Sequence, residues 1–181
     1  MTDNPVFAPG LFAGRHVLVT GGATGIGFGI ARELGGLGAR VTLASRDPAK
    51  LDDAVARLRT EGIAAARQVL NIRDAAAIEA LFATLAATGD LPDALINNAG
   101  GQFSAPALET SANGFRAILD LNLQGGFQMC RAYAAALVAQ GRRGHIVNIV
   151  FAHTGAMPDF AAAAAARAAM VNLTKTLALE W

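Results

Sequence analysis

Three groups of residues in this chain have the types and spacing that chemistry needs. The first is Thr20-Gly21-Gly22-Ala23-Thr24-Gly25-Ile26-Gly27, which follows the apolar run His16-Val17-Leu18-Val19 and precedes a stretch of helical spacing that opens at Phe28. Strand, glycine turn and helix in that order can hold a pyrophosphate. The glycines let the backbone turn tightly and approach the ligand, and the helix N-terminus offers unpaired N–H groups and a positive dipole end. The second group is Ser45-Arg46, at the end of a strand-like stretch. The third is a set of polar side chains further along: Asn97, Asn98, Asn122, His153 and Arg167. A histidine with a pKa near ~6.5 can supply a proton, although an exposed loop histidine is the plainer reading of His153. Arg167 is a permanent cation and cannot act as an acid.

Alternating strand and helix patterns must position these groups. Arg40 to Ser45 reads as a second strand, and Asp47-Pro48 as an N-cap and first-turn proline. Leu51, Ala54, Val55 and Leu58 then form one apolar helical face. Ala65 to Leu70 is a third strand. Asp74 caps a helix expected to bury Ile78, Leu81, Phe82 and Leu85. Ala94 to Ile96 is a fourth strand, running into Asn97-Asn98-Ala99-Gly100-Gly101. A long helical region covers Ser111 to Gln140, its early part readable as a separate helix. His145 to Val150 is the fifth strand. From Ala161 an alanine-rich helix carries Val171, Leu173, Leu177 and Leu179. Repeated strand–helix units imply a parallel sheet with helices on both faces.

Composition narrows the function classes. At 181 residues the length predicts a single domain, 1–181. A formal net charge of +1 gives no basic footprint, so nucleic acid is not an expected partner. Arg142-Arg143, an adjacent basic pair, reads as a solvated loop. The single cysteine, Cys130, excludes an internal disulfide framework and reads as a small buried apolar residue. Met1 to Gly14 has neither the basic start nor the apolar centre of a signal peptide. Apolar stretches such as Phe160 to Ala166 fall far short of a membrane span. The expectation is a soluble cytoplasmic protein, and the small side chains of the last helix suit a subunit interface in a homo-oligomer.

Taken together, these motifs resemble the short-chain dehydrogenase/reductase family from about Gly14 onward. The family's TGxxxGxG loop corresponds to Thr20–Gly27, its NNAG motif to Asn97-Asn98-Ala99-Gly100, and its helical asparagine to Asn122. Within the family the chain is most similar to peroxisomal-type trans-2-enoyl-CoA reductases and their 2,4-dienoyl-CoA reductase relatives. The phrases that carry this are Ala44-Ser45-Arg46, Asn71-Ile72-Arg73, Gly100-Gly101-Gln102-Phe103 and Asn172 to Trp181. Relatives assigned to terpenoid alcohol or aldehyde oxidation share them.

The resemblance implies a Rossmann-type doubly wound α/β sheet of strand order 3-2-1-4-5, lacking the family's usual C-terminal strands because this sequence stops at Trp181. It implies NADP(H) as cofactor, since Ser45-Arg46 stands where NAD-preferring members carry an acid. A guanidinium and a hydroxyl can hold a 2′-phosphate that a carboxylate would repel. Gly21, Thr24, Gly25, Ile26 and Gly27 are expected at the pyrophosphate, Ser45 and Arg46 at the 2′-phosphate, and Asn71 and Ile72 at the adenine. Asn98, Ala99 and Gly100 fall on the ribose and nicotinamide side. The family's catalytic serine, tyrosine and lysine positions fall on Phe151, Ala163 and Arg167. The only tyrosine, Tyr133, lies eleven residues beyond Asn122, about 16 Å along a helix, too far to substitute. The expected reaction is hydride transfer to a double bond conjugated to a thioester, on an acyl-CoA in fatty acid metabolism. Asn122 or a backbone N–H would stabilise the oxygen, His153 would supply a proton, and Arg167 would contact cofactor ribose or phosphate. Two alternatives remain: a cofactor-binding chain without turnover, and an alcohol or ketone dehydrogenase, which the missing tyrosine weakens.

Overall fold

The computed structural model describes residues 6–151 and 155–181. Its centre is a five-stranded parallel sheet of order β3-β2-β1-β4-β5, the order expected. The strands are β1 (His16–Thr20), β2 (Arg40–Ser45), β3 (Ala65–Val69), β4 (Ala94–Asn97) and β5 (His145–Asn148). Every residue of β1 is buried, as a central strand covered on both faces requires. Alternation along β1 feeds two cores. Val17 and Val19 join Val41, Leu43 and Ile96 under α1 (Gly25–Gly36) and α2 (Pro48–Thr60). Leu18 and Leu95 pack on the opposite face with Ile78, Phe82, Met129 and Tyr133, from α3 (Ala75–Ala87) and α5 (Gly125–Ala139).

Local chemistry sets the helix starts. Asp47 accepts from the Ala49 and Lys50 amides at 3.1 and 3.2 Å, and Asp74 accepts from Ala77 at 3.0 Å, so both expected caps form. Leu51, Ala54, Val55 and Leu58 are all buried. In α3, Ile78, Leu81 and Phe82 are buried while Leu85 packs partly buried at the margin.

One strand boundary needs correction, and two helical regions gain detail. β5 ends at Asn148, not Val150, because β4, its pairing partner, ends at Asn97. The region from Ser111 to Gln140 is α4 (Ala112–Leu119), a π-helical turn at Asp120–Gln124, and α5, with Ser111 capping the Gly114 amide. In α6 (Ala161–Glu180) the buried face is Ala162, Ala163, Ala166, Met170 and Leu177, whereas Leu179 is 90% exposed. This helix packs against α4 and the π turn, and small residues line it there because the two backbones approach closely. No helix among the described residues is long and apolar enough to cross a membrane.

Candidate functional site

The glycine turn after β1 is built for close approach. Gly21 and Gly25 have φ of 64° and 55°, backbone that glycine adopts without cost. Gly27, inside α1, serves differently: a Cβ there would strike the Gly21 carbonyl and lie 2.5 Å from Asn98 Nδ2. Its bare Cα lets the start of α1 lie against the turn. Thr24, the N-cap, makes no side-chain capping bond, which leaves the first-turn amides of α1 to a ligand or water.

Thr20, 1% exposed, fixes the turn to β4. Its Oγ1 accepts from the Asn98 and Ala99 amides, both at 3.0 Å, and donates to the Ile96 carbonyl at 3.3 Å. Asn98 returns the tie, donating through Nδ2 to the Thr20 and Gly21 carbonyls at 3.0 and 3.3 Å. Sequence reasoning placed Thr20 in the motif without seeing this role; a hydroxyl at the buried end of a central strand was the available signal.

A cavity of about 590 Å³ opens over the C-terminal ends of the strands, where ligands bind in open α/β sheets, at the point where strand order reverses between β1 and β4. Gly21, Thr24 and Ile26 line its middle. Ser45, Arg46, Asn71 and Ile72 line it at the β2–β3 side, and Asn98, Ala99, Gly100, Asn122 and Arg167 at the β4–β5 side. The structure therefore brings together every expected site residue except Gly25 and Gly27, which shape the turn from behind, and His153, which lies outside the described residues. β2 and β5 are three strand spacings apart, roughly 14 Å. Arg46 and Arg167 thus stand at opposite ends, and no described lining residue is Asp or Glu. Asp47, beside Arg46, is occupied in capping α2.

The β4–β5 end is polar below and apolar to one side. Asn122 is buried in the π turn, with both amide hydrogens committed to Gly101 and Ile118 carbonyls at 2.7 and 3.0 Å. Its Oδ1 accepts from the Gly101 amide at 3.2 Å. It ties down the 100–101 loop and has no hydrogen left for a substrate oxygen, which corrects the donor role expected of it. Arg167 donates from Nη1 to the Ile149 carbonyl at 2.8 Å, and burial lowers its pKa below the usual guanidinium value. Phe151 and Ala163 join Ile118, Ala162, Phe115 and Phe160 in a separate apolar cluster. Tyr133 sits away from the cavity, with its hydroxyl on the Pro92 carbonyl at 3.1 Å and burial pushing its pKa up to about 12.

Beneath this end lies a network that sequence reasoning missed. Asn97 Nδ2 donates to Asn148 Oδ1 at 2.9 Å and lies 3.1 Å from Cys130 Sγ. Asn148 donates to Thr174, which donates to the Met170 carbonyl. Cys130 is buried as expected, but among amides rather than in a purely apolar site, and burial pushes its thiol up to about 11. Arg142, expected as a solvated loop residue, reaches Asp93 at 3.5 Å.

Comparison with known proteins accords with this geometry. Residues 15–181 match the short chain dehydrogenase family. The chain is 39% identical over 188 residues to a peroxisomal 2,4-dienoyl-CoA reductase of Arabidopsis thaliana, which covers 99% of this chain and 62% of that protein. The chain therefore spans less than two thirds of that relative's length. It superimposes with a TM-score of 0.91, at 36% identity, on a citronellol catabolism dehydrogenase of Pseudomonas aeruginosa PAO1, covering 98% of this chain and 73% of that one. A gluconate 5-dehydrogenase of Burkholderia cenocepacia J2315, solved in complex with NADP and tartrate, matches at TM-score 0.87 and 34% identity, over 93% of this chain and 66% of that one. With its motifs, sheet order and cavity in the family's arrangement, the chain belongs to the short chain dehydrogenases.

Proposed function

We propose that the chain is the cofactor-binding part of an NADP(H)-dependent oxidoreductase that reduces a carbon–carbon double bond conjugated to a thioester. The observation that carries this reading is the charge at the β2–β3 end of the cavity: Arg46 beside Ser45, with no carboxylate among the described lining residues. An NAD site uses an acid to accept from the ribose hydroxyls, whereas a 2′-phosphate calls for the opposite charge. Arg46 and Ser45 would hold that phosphate. The amides opening α1 would hold the pyrophosphate, and Ile72 would lie on the adenine. A bound reduced nicotinamide supplies a hydride. The chain's own contribution is to orient that ring on the Ala99–Gly100 backbone and to present an apolar wall beside it. The relationship to dienoyl-CoA reductases supports an acyl-CoA substrate. The cavity offers no tyrosine hydroxyl, which disfavours reduction of a ketone, whose alkoxide must be protonated on oxygen.

The test is fluorescence titration with NADPH and NADH, followed by NADPH oxidation in the presence of trans-2-enoyl- and 2,4-dienoyl-CoA. NADPH should bind more tightly. Arg46→Asp should weaken NADPH by about tenfold or more, the loss of one charge-assisted contact, and favour NADH. Equal affinities that Arg46→Asp leaves unchanged would defeat the cofactor assignment. Binding without turnover would favour the non-catalytic alternative.

A further inference from the structure

At the β4–β5 end of the cavity the side chain of Gln102 is an exposed and neutral donor. Asn122 and Asn98 have committed both amide hydrogens to backbone carbonyls. Arg167 has not. A guanidinium carries five N–H groups, and the bond to the Ile149 carbonyl uses one. Its pKa is lowered by burial with no acidic neighbour raising it, so among the described residues it is a half-buried cation without a counter-charge. It lies over Gly100, where a Cβ would run into Nη2, and a bare Cα is what admits it to the cavity. Beside it Phe151 gives the cavity an apolar wall, backed by Phe115, Phe160 and Ala163.

A desolvated cation with spare donors beside an apolar wall suits a ligand with an apolar tail and an oxygen that becomes anionic. We propose that Arg167 is a catalytic residue whose guanidinium receives the thioester carbonyl oxygen and stabilises the enolate formed on it, with the acyl chain along Phe151. The proposal rests on the enoyl-thioester reading above. Once hydride has reached Cβ, the π pair of the double bond moves to form the Cα=C bond, and the carbonyl pair moves onto oxygen, facing Arg167. Water then delivers a proton to Cα, the hydroxide left behind is neutralised by bulk solvent, the carbonyl re-forms, and Arg167 keeps all its protons. The substrate is reduced by the two electrons that the nicotinamide loses. An enolate can take its proton on carbon, so this site has no need of a hydroxyl acid.

Acetoacetyl-CoA tests the assignment, because its enolate absorbs in the near ultraviolet and the neutral ketone does not. With NADP⁺ present, wild-type protein should raise the enolate band of the bound probe, since a fixed cation at hydrogen-bond distance lowers the pKa of an acid by about 1–3 units. Arg167→Gln should cut the enolate fraction roughly tenfold or more while NADPH affinity changes less than about twofold. Arg167→Lys should keep part of the band. NADPH binding checks in each variant that the fold is intact. An undiminished band in Arg167→Gln would overturn the proposal. So would a band lost only in step with NADPH binding, which would assign Arg167 to the cofactor. If the wild type binds NADPH but raises no band, the role of Arg167 fails and the cofactor reading stands. If the wild type does not bind NADPH, both fail.

Discussion

Replacing Thr20 with valine removes one oxygen from the most buried hydroxyl of the site and changes almost nothing else in shape. In the structure that oxygen accepts from the Asn98 and Ala99 amides and donates to Ile96. The Asn98 amide also reaches the Ile96 carbonyl at 3.1 Å, so it keeps a partner after the change. The Ala99 amide does not, and an orphaned donor costs about 1–3 kcal/mol where water is excluded. Loss of the Thr20 O–H bond adds roughly 1 kcal/mol. Because Ala99 borders the cavity and is only partly buried, the lower half of the range applies, and the total comes to about 2–3 kcal/mol. Thr20→Ser keeps the hydroxyl and loses a methyl, costing about 1 kcal/mol. Urea denaturation of the three proteins reads the comparison directly. Valine no more destabilising than serine would refute the claim that this hydroxyl pins the glycine turn to β4.

Gly27→Ala drives a Cβ into the Gly21 carbonyl and Asn98. It should cost about 1–3 kcal/mol by overpacking and abolish NADPH binding; tight binding by the alanine variant in the same titration would contradict the proposed cradle. Cys130 holds its proton more firmly folded (about 11) than at its ordinary 9.0. It therefore stabilises the fold fully below pH 9 and loses that contribution as pH rises through 11, about 2–3 kcal/mol in all. Urea melts of wild type and Cys130→Ala from pH 8 to 11 should show the wild type losing the greater stability, and parallel losses would exclude the thiol as the cause. Consistently, iodoacetamide at pH 8 should leave the native thiol unlabelled on the timescale that labels unfolded protein completely, as followed by mass spectrometry.

The sheet order, both aspartate caps and most of the cavity lining were legible in the sequence because they rest on local rules. Alternation, i/i+3/i+4 spacing and glycine turns are written into neighbouring residues. What escaped depends on contacts between distant segments. Nothing near Asn122 shows that the 100–101 loop will claim its amide, and nothing near Cys130 shows that Asn97 and Asn148 will converge on it. The buried face of α6 was not legible for a related reason. Leucine and valine normally mark the inner face, but close packing against α4 and the π turn put alanines inside and left Leu179 outside.

The π turn at Asp120–Gln124 also governs what changes the chain can tolerate. Its i→i+5 bond takes up about one residue more than an α turn, so removing one residue there would let the backbone relax to ordinary α-helical winding with α5 keeping nearly the same phase relative to α4. Tyr133, Met129 and Cys130 would stay on the sheet face, while Asn122, within the turn, would lose its place under the loop. A single-residue deletion inside α5 has no such slack and changes the phase of all that follows it in a fifteen-residue helix. Length is therefore held more rigidly within α5 than at the turn, and a library that samples deletions along the chain should find the turn the more forgiving of the two.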